Sequence, residues 1–514
     1  MSRQRNALVA AAFSYGQSIL ALAAAFYVTR FLIRTLGQDR YGMWLATGAM
    51  LGYAAFADLG ILGVMPWLFA EADGRKDDAQ TKSLVAHGTL AGVAAGFVYA
   101  ALAVILWAGL PGLLHLSPDD RAALRGPVIA LAALTAVGYP LRLFAAMRNG
   151  LQDYTFIGIC ALVQTILNVV LVVALTRAGM GLYGLALGTV VPGLVTAVAA
   201  LLRTFSRSPW LFRAWPKPQW SVVRSILASG TGQWFGTIGW TLAFASDSVV
   251  IASLGHRNLV PMFVVTSRLG LTLMQMAWTL PDSTSVGLAQ LNAEGHEARV
   301  GEVVAALLRM HLLAAGVIAC VVIAGNMGFV SVWVGADLYG GGRLTAVFAV
   351  DVIMLSLVHA LVVPVAVLGR RLLVGLVTLL NGGVHMVLAF VLGHFWGLVG
   401  VAIATALSSL VTSVPVGIKL ISAVTTLSPK MMSRDILRPW TLRIVPCSMA
   451  ALLAAWASAR LGFAQNMGRY GALGGSLAGA CMVGLLCVYG MRPLIRDLPF
   501  GPRMRRALGA VRLV

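Results

Sequence analysis

The sequence predicts an all-α polytopic membrane protein of about 14 transmembrane helices, in two parallel six-helix repeats plus two C-terminal helices. Three observations predict it. Of the 514 residues, 59% are hydrophobic and only 11% charged, against about 25% charged in an ordinary soluble domain. Apolar runs longer than about 18 residues recur from end to end. Short motifs also recur in order in the two halves. The composition excludes an ordinary soluble domain and a disordered chain. The runs are too long, and too free of alternation, for a transmembrane β-barrel.

The expected spans lie near 7–33, 41–69, 83–110, 123–146, 155–175, 183–203, 222–254, 260–290, 303–325, 344–366, 374–392, 398–420, 441–461 and 469–490. Arg3 and Arg5 precede an apolar run from Ala7 to about Ile33, too long for a cleavable signal, so it reads as the first span. An even number of spans puts both termini on one side. Lys and Arg concentrate at the N-terminus, in the loops near 70–82, 203–221 and 421–440, and at the C-terminus. The inside-positive rule then makes both termini cytoplasmic. The same rule, with anionic lipid head groups, accounts for a net charge of +20 without nucleic acid. Arg492, Arg496, Arg503, Arg505 and Arg506 read as a surface anchor.

The segment from Ser208 to Trp220 is the clearest linker, with prolines that interrupt helix and Trp and Arg suited to the head-group layer. It separates two similar halves. Phe31-Leu32-Ile33 with Leu36-Gly37 matches Val249-Val250-Ile251 with Leu254-Gly255. Ala70-Glu71 matches Ala293-Glu294, and Asp58 aligns near Asp282. Gly181-Leu182-Tyr183-Gly184-Leu185-Ala186 with Thr189 matches Gly397-Leu398-Val399-Gly400-Val401-Ala402 with Thr405. Each unit of six helices enters the membrane in the same direction, as in some secondary transporters. The expected organisation is an N-lobe at 1–206, an interfacial linker at 207–221, a C-lobe at 222–424, and helices 13 and 14 with a basic tail at 425–514.

Parallel lobes predict a carrier working by alternating access. No G-x-x-x-x-G-K-[ST] loop, serine or cysteine triad signature, or H-E-x-x-H zinc motif is present. The expectation is therefore no enzyme, no cofactor and no metal site. Cys160, Cys320, Cys447, Cys481 and Cys487 show no paired spacing. The acidic pairs Asp77-Asp78 and Asp119-Asp120 sit in short loops and read as solvated loop ends. No repeated pore motif or ring of charge suggests a channel.

Ionisable groups in hydrocarbon cost about 2.5–3.5 kcal/mol each on insertion scales, so each is a functional candidate. Asp247 in span seven and Arg268 in span eight lie at similar depth, about 10 Å inside the outer face. They are expected either as a static pair or as a switch, in which an anionic substrate takes Arg268 and Asp247 takes a proton or cation. Asp58 and Asp282, in pseudo-equivalent places, are further candidates for the coupling ion. Capping of a broken helix is the alternative for Asp282, because Pro281 precedes it. Arg30 and Arg34, one turn apart, read as a phosphate clamp or as snorkelling side chains. Arg142 and Arg148 read as a head-group capture site or as inside-positive anchors. Trp240 and Trp278 are candidates for stacking on sugar rings, with helix packing as the alternative. Asn168, Gln164, Gln233 and Asn381 read as interhelical hydrogen-bonding groups. His359 and His385 read as proton carriers or locally satisfied groups.

The run Arg34-Thr35-Leu36-Gly37-Gln38-Asp39-Arg40-Tyr41-Gly42-Met43-Trp44, followed by Ala57-Asp58-Leu59-Gly60-Ile61, resembles the N-terminal signature of the Wzx-type polysaccharide flippases. These belong to the multidrug/oligosaccharidyl-lipid/polysaccharide exporter superfamily. Asp247, Leu254-Gly255, Phe263 and Arg268 form a degenerate counterpart, and Val332-Trp333-Val334-Gly335 fits as well. Pro261-Met262 departs from the Gly-x-Tyr pattern of that family. The resemblance runs over nearly the whole chain.

It implies a flippase of the bacterial inner membrane for polyprenyl-diphosphate-linked oligosaccharide repeat units, serving exopolysaccharide or O-antigen assembly. Substrate contacts would come from Arg30, Arg34, Arg142, Arg268, Trp240 and Trp278, and coupling from Asp58, Asp247 and Asp282. A proton or cation, membrane lipids, the polysaccharide polymerase and the export machinery are the implied partners. The alternatives are a lipid II flippase, a multidrug or cation exporter of the same superfamily, a membrane polysaccharide polymerase, or a scaffold that transports nothing.

Overall fold

The computed structural model describes residues 3–282, 284–460 and 468–496. The tail arginines Arg503, Arg505 and Arg506 lie outside them. Among the described residues the chain is helical and contains no strand. It divides into two compact units, Met1–Asn258 and Leu259–Val514.

The first unit contains α1 (Arg3–Leu36), α2 (Gln38–Gly52), α3 (Ile61–Gly74), α4 (Asp78–Leu113), α5 (Pro118–Gly150), α6 (Tyr154–Leu175), α7 (Leu182–Arg207), α8 (Trp220–Phe244) and α9 (Ser246–Ser253). Its centre is α5, which packs on α4 and α7, while α6 packs on α7 and α1. The second unit contains α10 (Val260–Asp282), α11 (Ser285–Ala293), α12 (Glu297–Trp333), α13 (Gly341–Val367), α14 (Arg371–Val411) and α15 (Ser413–Val424), then helices Arg438–Arg460 and Gly468–Gly490. Here α12 is central, packed on α10, α13 and both C-terminal helices.

Among the described residues, ten helices are long and apolar enough to cross a bilayer, or twelve if each of two bent pairs is one span. The stretch Arg371–Val424 is 54 residues long, about 80 Å at 1.5 Å per residue, enough for two passages. Gly397 turns it, with φ 58° and ψ −139°. Expected spans eleven and twelve lie there, and span fourteen overlaps the shorter apolar helix Gly474–Gly490. Large apolar side chains face outward in mid-helix: Phe97 on α4 is 75% exposed and Val387 on α14 is 64% exposed. Water would penalise such a surface, whereas lipid tails are as apolar as the side chains themselves.

Two spans expected to be continuous are broken. Span two bends by 42° between Gln38–Asp58 and Ile61–Gly74, and span seven by 41° between α8 and α9. The first break has a local cause. Leu59 and Gly60 are consecutive left-handed residues, at φ 50° and 78°. Gly60 also lies against the backbone of Gly230 on α8, where a Cβ would collide with the Gly230 carbonyl oxygen. Span eight is likewise divided, into α10 and α11.

The acidic pairs stand where loops end and helices begin, with Asp77, Asp78 and Asp119 exposed. The Asp77 carboxylate accepts from Gln80 N at 2.8 Å at the head of α4. Ser117 and Asp120 form a reciprocal capping box at the head of α5, with Pro118 in its first turn.

Candidate functional site

The first unit holds a cavity of about 310 Å³ walled by α5, α6 and α7. Among its lining residues, Thr135, Arg142, Gln164, Thr189 and Thr196 are polar. Two of these are tied together, since Thr196 Oγ1 donates to Gln164 Oε1 at 3.2 Å. Nearby, Asn168 Nδ2 donates to the Gly188 carbonyl at 2.7 Å, joining α6 to α7. Asn168 and Gln164 thus act across helices, as their residue type predicts.

Arg142 is the cation of this cavity. It projects from α5 with its guanidinium carbon 5.1 Å from the centre of the Tyr139 ring. Tyr139 is fixed in turn: it is buried, its ring lies 5.4 Å from that of Tyr99, and its hydroxyl donates to the Ala55 carbonyl at 3.5 Å. Ala55 belongs to the 3₁₀ turn Tyr53–Asp58 at the break in span two. Asp58 closes that turn, and its Oδ1 accepts from Leu62 N at 3.1 Å, capping α3. On the other side of the break, Trp234 Nε1 of α8 donates to the Phe56 carbonyl at 2.8 Å. The break is therefore held by two aromatic donors and one carboxylate. The Asp58 charge falls within electrostatic reach of Arg142. Discontinuous membrane helices whose ends face polar groups are a recurrent way of building transporter sites.

The other expected site residues are distributed as follows. Asp247 opens α9, at the break in span seven, and with Ser246 lies alongside Tyr53. Arg268 is on an exposed face of α10. It belongs to the second unit and Asp247 to the first, so their expected pairing is not a contact within one unit. Arg30 is half-buried and Arg34 exposed at the end of α1. Phe31 between them stacks on Tyr27 and carries Arg177 over its ring, 5.6 Å from the centroid. Trp240 is 41% exposed, with its ring 4.0 Å from that of Phe244. Trp278 is buried and donates from Nε1 to Ser356 Oγ at 3.2 Å. Asp282 ends α10, and its Oδ1 lies 2.8 Å from Nε2 of His359. Arg148, expected as an interfacial anchor, is only 3% exposed: it sits beneath the α5–α6 turn, where its carbonyl accepts from Asp153 N at 3.0 Å.

Two polar clusters carried no signal in sequence. Arg257 reaches Asp39 through Nε at 2.8 Å and Asp120 through Nη1 at 2.6 Å, joining the first turns of α2 and α5 to the segment that follows α9. Asp153 takes a two-point bond from Arg203, at 2.7 and 3.1 Å, and Arg203 also covers the Phe156 ring. That guanidinium holds the Asp153 carboxyl below the usual carboxylate range, with Arg207 and Arg148 adding to the effect. Both clusters join residues far apart in the chain, so only the folded arrangement reveals them.

No family model matches the chain, and no curated protein matches it. Solved structures do. An inward-facing multidrug resistance MATE family transporter of the MOP superfamily aligns at TM-score 0.59 and 15% identity, over 81% of this chain and 98% of that one. An outward-facing MATE family transporter of the same superfamily aligns at TM-score 0.58 and 15% identity, over 82% and 97%. A MATE protein in a straight conformation aligns at TM-score 0.56 and 15% identity, over 82% and 96%. The chain is a multi-pass membrane protein, and its structural neighbours are MATE transporters of that superfamily.

Proposed function

We propose that this protein is an alternating-access carrier of the bacterial inner membrane. It flips polyprenyl-diphosphate-linked oligosaccharide units from the cytoplasmic to the periplasmic leaflet, driven by a proton or cation gradient. The observation that supports this most is Arg142, held over Tyr139 in a cavity of about 310 Å³ that mixes apolar walls with polar groups. A guanidinium in a confined, low-dielectric space suits a diphosphate, whose oxygens accept two parallel N–H bonds. The threonines and Gln164 of the cavity supply donors and acceptors for sugar hydroxyls, and a prenyl tail can remain in lipid.

Arg30, Arg34 and Arg268 are assigned to the substrate's charged group and Trp240 to its sugars, while the buried Trp278, bonded to Ser356, falls to helix packing, the alternative for it. Asp58, Asp247 and Asp282 are assigned to the coupling ion. All three carboxylates stand at helix breaks or ends, where backbone polar groups left without helical partners help to hold an ion. The lobes assigned to the transport cycle are 1–206 and 222–424.

A second reading, export of drugs or organic cations, draws on the multidrug resistance transporters that share this fold. Loss of the gene separates the two. The flippase reading predicts accumulation of lipid-linked oligosaccharide on the cytoplasmic leaflet with unchanged drug sensitivity. Hypersensitivity to cationic drugs without that accumulation favours the exporter.

A further inference from the structure

The second unit brings together Asp282 at the end of α10, His311 on α12 and His359 on α13, with one potential ligand atom from each within 4.8 Å of the others. Four features distinguish this group from a chance polar contact. His311 is only 5% exposed. Its Nδ1 lies 2.8 Å from the Leu307 carbonyl, so Nδ1 carries the proton and Nε2 keeps a bare lone pair. That Nε2 is buried and has no hydrogen-bond partner. A histidine that gives one ring N–H to a backbone carbonyl and turns the other nitrogen inward is the usual arrangement of a metal ligand.

The second feature is the pair His359 Nε2 and Asp282 Oδ1, 2.8 Å apart, which supplies a nitrogen and an oxygen donor beside that lone pair. Third, the His359 ring is clamped. Trp278 stacks on it with centroids 4.0 Å apart and planes 9° from parallel, and Ser356 fixes the Trp278 indole. Fourth, all three residues line one recess of about 10 Å³, room for a single small ion or water.

We propose that Asp282, His311 and His359 form a binding site for a borderline divalent cation of the Zn²⁺ class. Two imidazoles and a carboxylate favour such a metal over sodium, potassium or magnesium, which prefer oxygen donors. Three protein ligands leave the fourth position of a tetrahedral ion for water or another ligand. Binding replaces the hydrogen-bond contact between His359 Nε2 and Asp282 Oδ1 by bonds from both atoms to the metal, with any ring proton of His359 carried on Nδ1. The metal then replaces that one contact by three bonds, pinning α10, α12 and α13 together. This site shares Asp282 with the coupling assignment but not Arg142 or its cavity, so its failure leaves the substrate reading untouched.

The test is metal binding to the purified, tag-free full chain in detergent after stripping with a chelator. Zn²⁺ is titrated against a competing indicator, the bound metal is counted by elemental analysis, and Co²⁺ serves as a visible-absorption probe of geometry. The expected result is one Zn²⁺ per chain and tetrahedral cobalt bands. His311→Gln and His359→Gln should each weaken binding by at least about tenfold. His394→Gln, at an exposed histidine remote in sequence from the three ligands, should bind as wild type. Size-exclusion profile and helical circular dichroism show that each variant is folded. Absence of stoichiometric Zn²⁺ binding by the wild type overturns the proposal. So does equal affinity in the folded His311→Gln and His359→Gln variants.

Discussion

Gly181 and Gly397 adopt the same backbone conformation, φ 51° and ψ −122° against φ 58° and ψ −139°, a combination open only to glycine. Each stands at the head of a Gly-Leu-x-Gly-x-Ala segment that turns the chain from one helix into the next. The correspondence extends to packing. The glycine three residues on presses against the preceding helix at matched positions: Gly184 against the backbone of Thr176, and Gly400 against that of Leu392. The spacing between Thr176 and Leu392 equals that between the glycines, so this one sequence match is also a match of backbone conformation. Substituting Gly181 or Gly397 by Ala is expected to cost about 1–3 kcal/mol, visible as a lower thermal midpoint in detergent. Gly383→Ala, where a Cβ meets open space, is the control and should leave the midpoint unchanged.

The helix break at Asp58 depends on Gly60 and Gly230 touching through their backbones. A Cβ on Gly230 would lie 2.8 Å from the Gly60 carbonyl oxygen, and neither partner is a flexible side chain. Gly230→Ala should therefore destabilise the first unit by about 1–3 kcal/mol. It should also lower transport more than expression, because the break holds Asp58 and the Tyr139–Arg142 wall in register. A thermal-shift assay paired with transport per folded molecule checks both.

Arg257 bridges Asp39 and Asp120 with one guanidinium. All three are partly exposed, so the pair energies are those of surface bridges, about 1 kcal/mol in all. Arg257→Ala should lower stability by about that much, and more at low than at high salt. Equal loss at both salt levels would show that lost packing, not charge, carries the effect.

Asp153 gives a pH signature with a determined sign. Its carboxyl is held below the ordinary range, first by the Arg203 bond. The stabilisation is complete above the unfolded value, near pH 4, and is lost as the pH falls through the depressed folded value. Asp153→Asn should therefore have a lower thermal midpoint than wild type at neutral pH. That gap should close only in strongly acidic buffer.

Much of the fold was legible because lipid imposes one rule along the whole chain: helices long enough to cross, apolar on every outward face, with charge at the ends. That rule marks helices such as α4, α7 and α12 from hydropathy alone. It does not mark where a span breaks. Leu59 is an ordinary helical residue by type, so nothing in its identity marks the left-handed turn that it makes with Gly60. The candidate carboxylates Asp58, Asp247 and Asp282 stood out because charge is rare in hydrocarbon. Arg142 stood out less, since an arginine near a cytoplasmic helix end looks like an anchor. The Asp282–His311–His359 group was invisible as a group, because its members come from three helices and His311 looks alone like any buried imidazole. Arg257 was hidden for the same reason, its two partners being far away in sequence.

The central claim is tested most directly by reconstituting the pure protein into proteoliposomes carrying a polyprenyl-diphosphate oligosaccharide in one leaflet. Arrival of the sugar in the other leaflet is then followed with a membrane-impermeant lectin or glycosidase. The account predicts transfer that depends on an imposed proton or cation gradient and is lost in folded Arg142→Ala. No transfer by the wild type under any gradient, or equal transfer by Arg142→Ala, would contradict it.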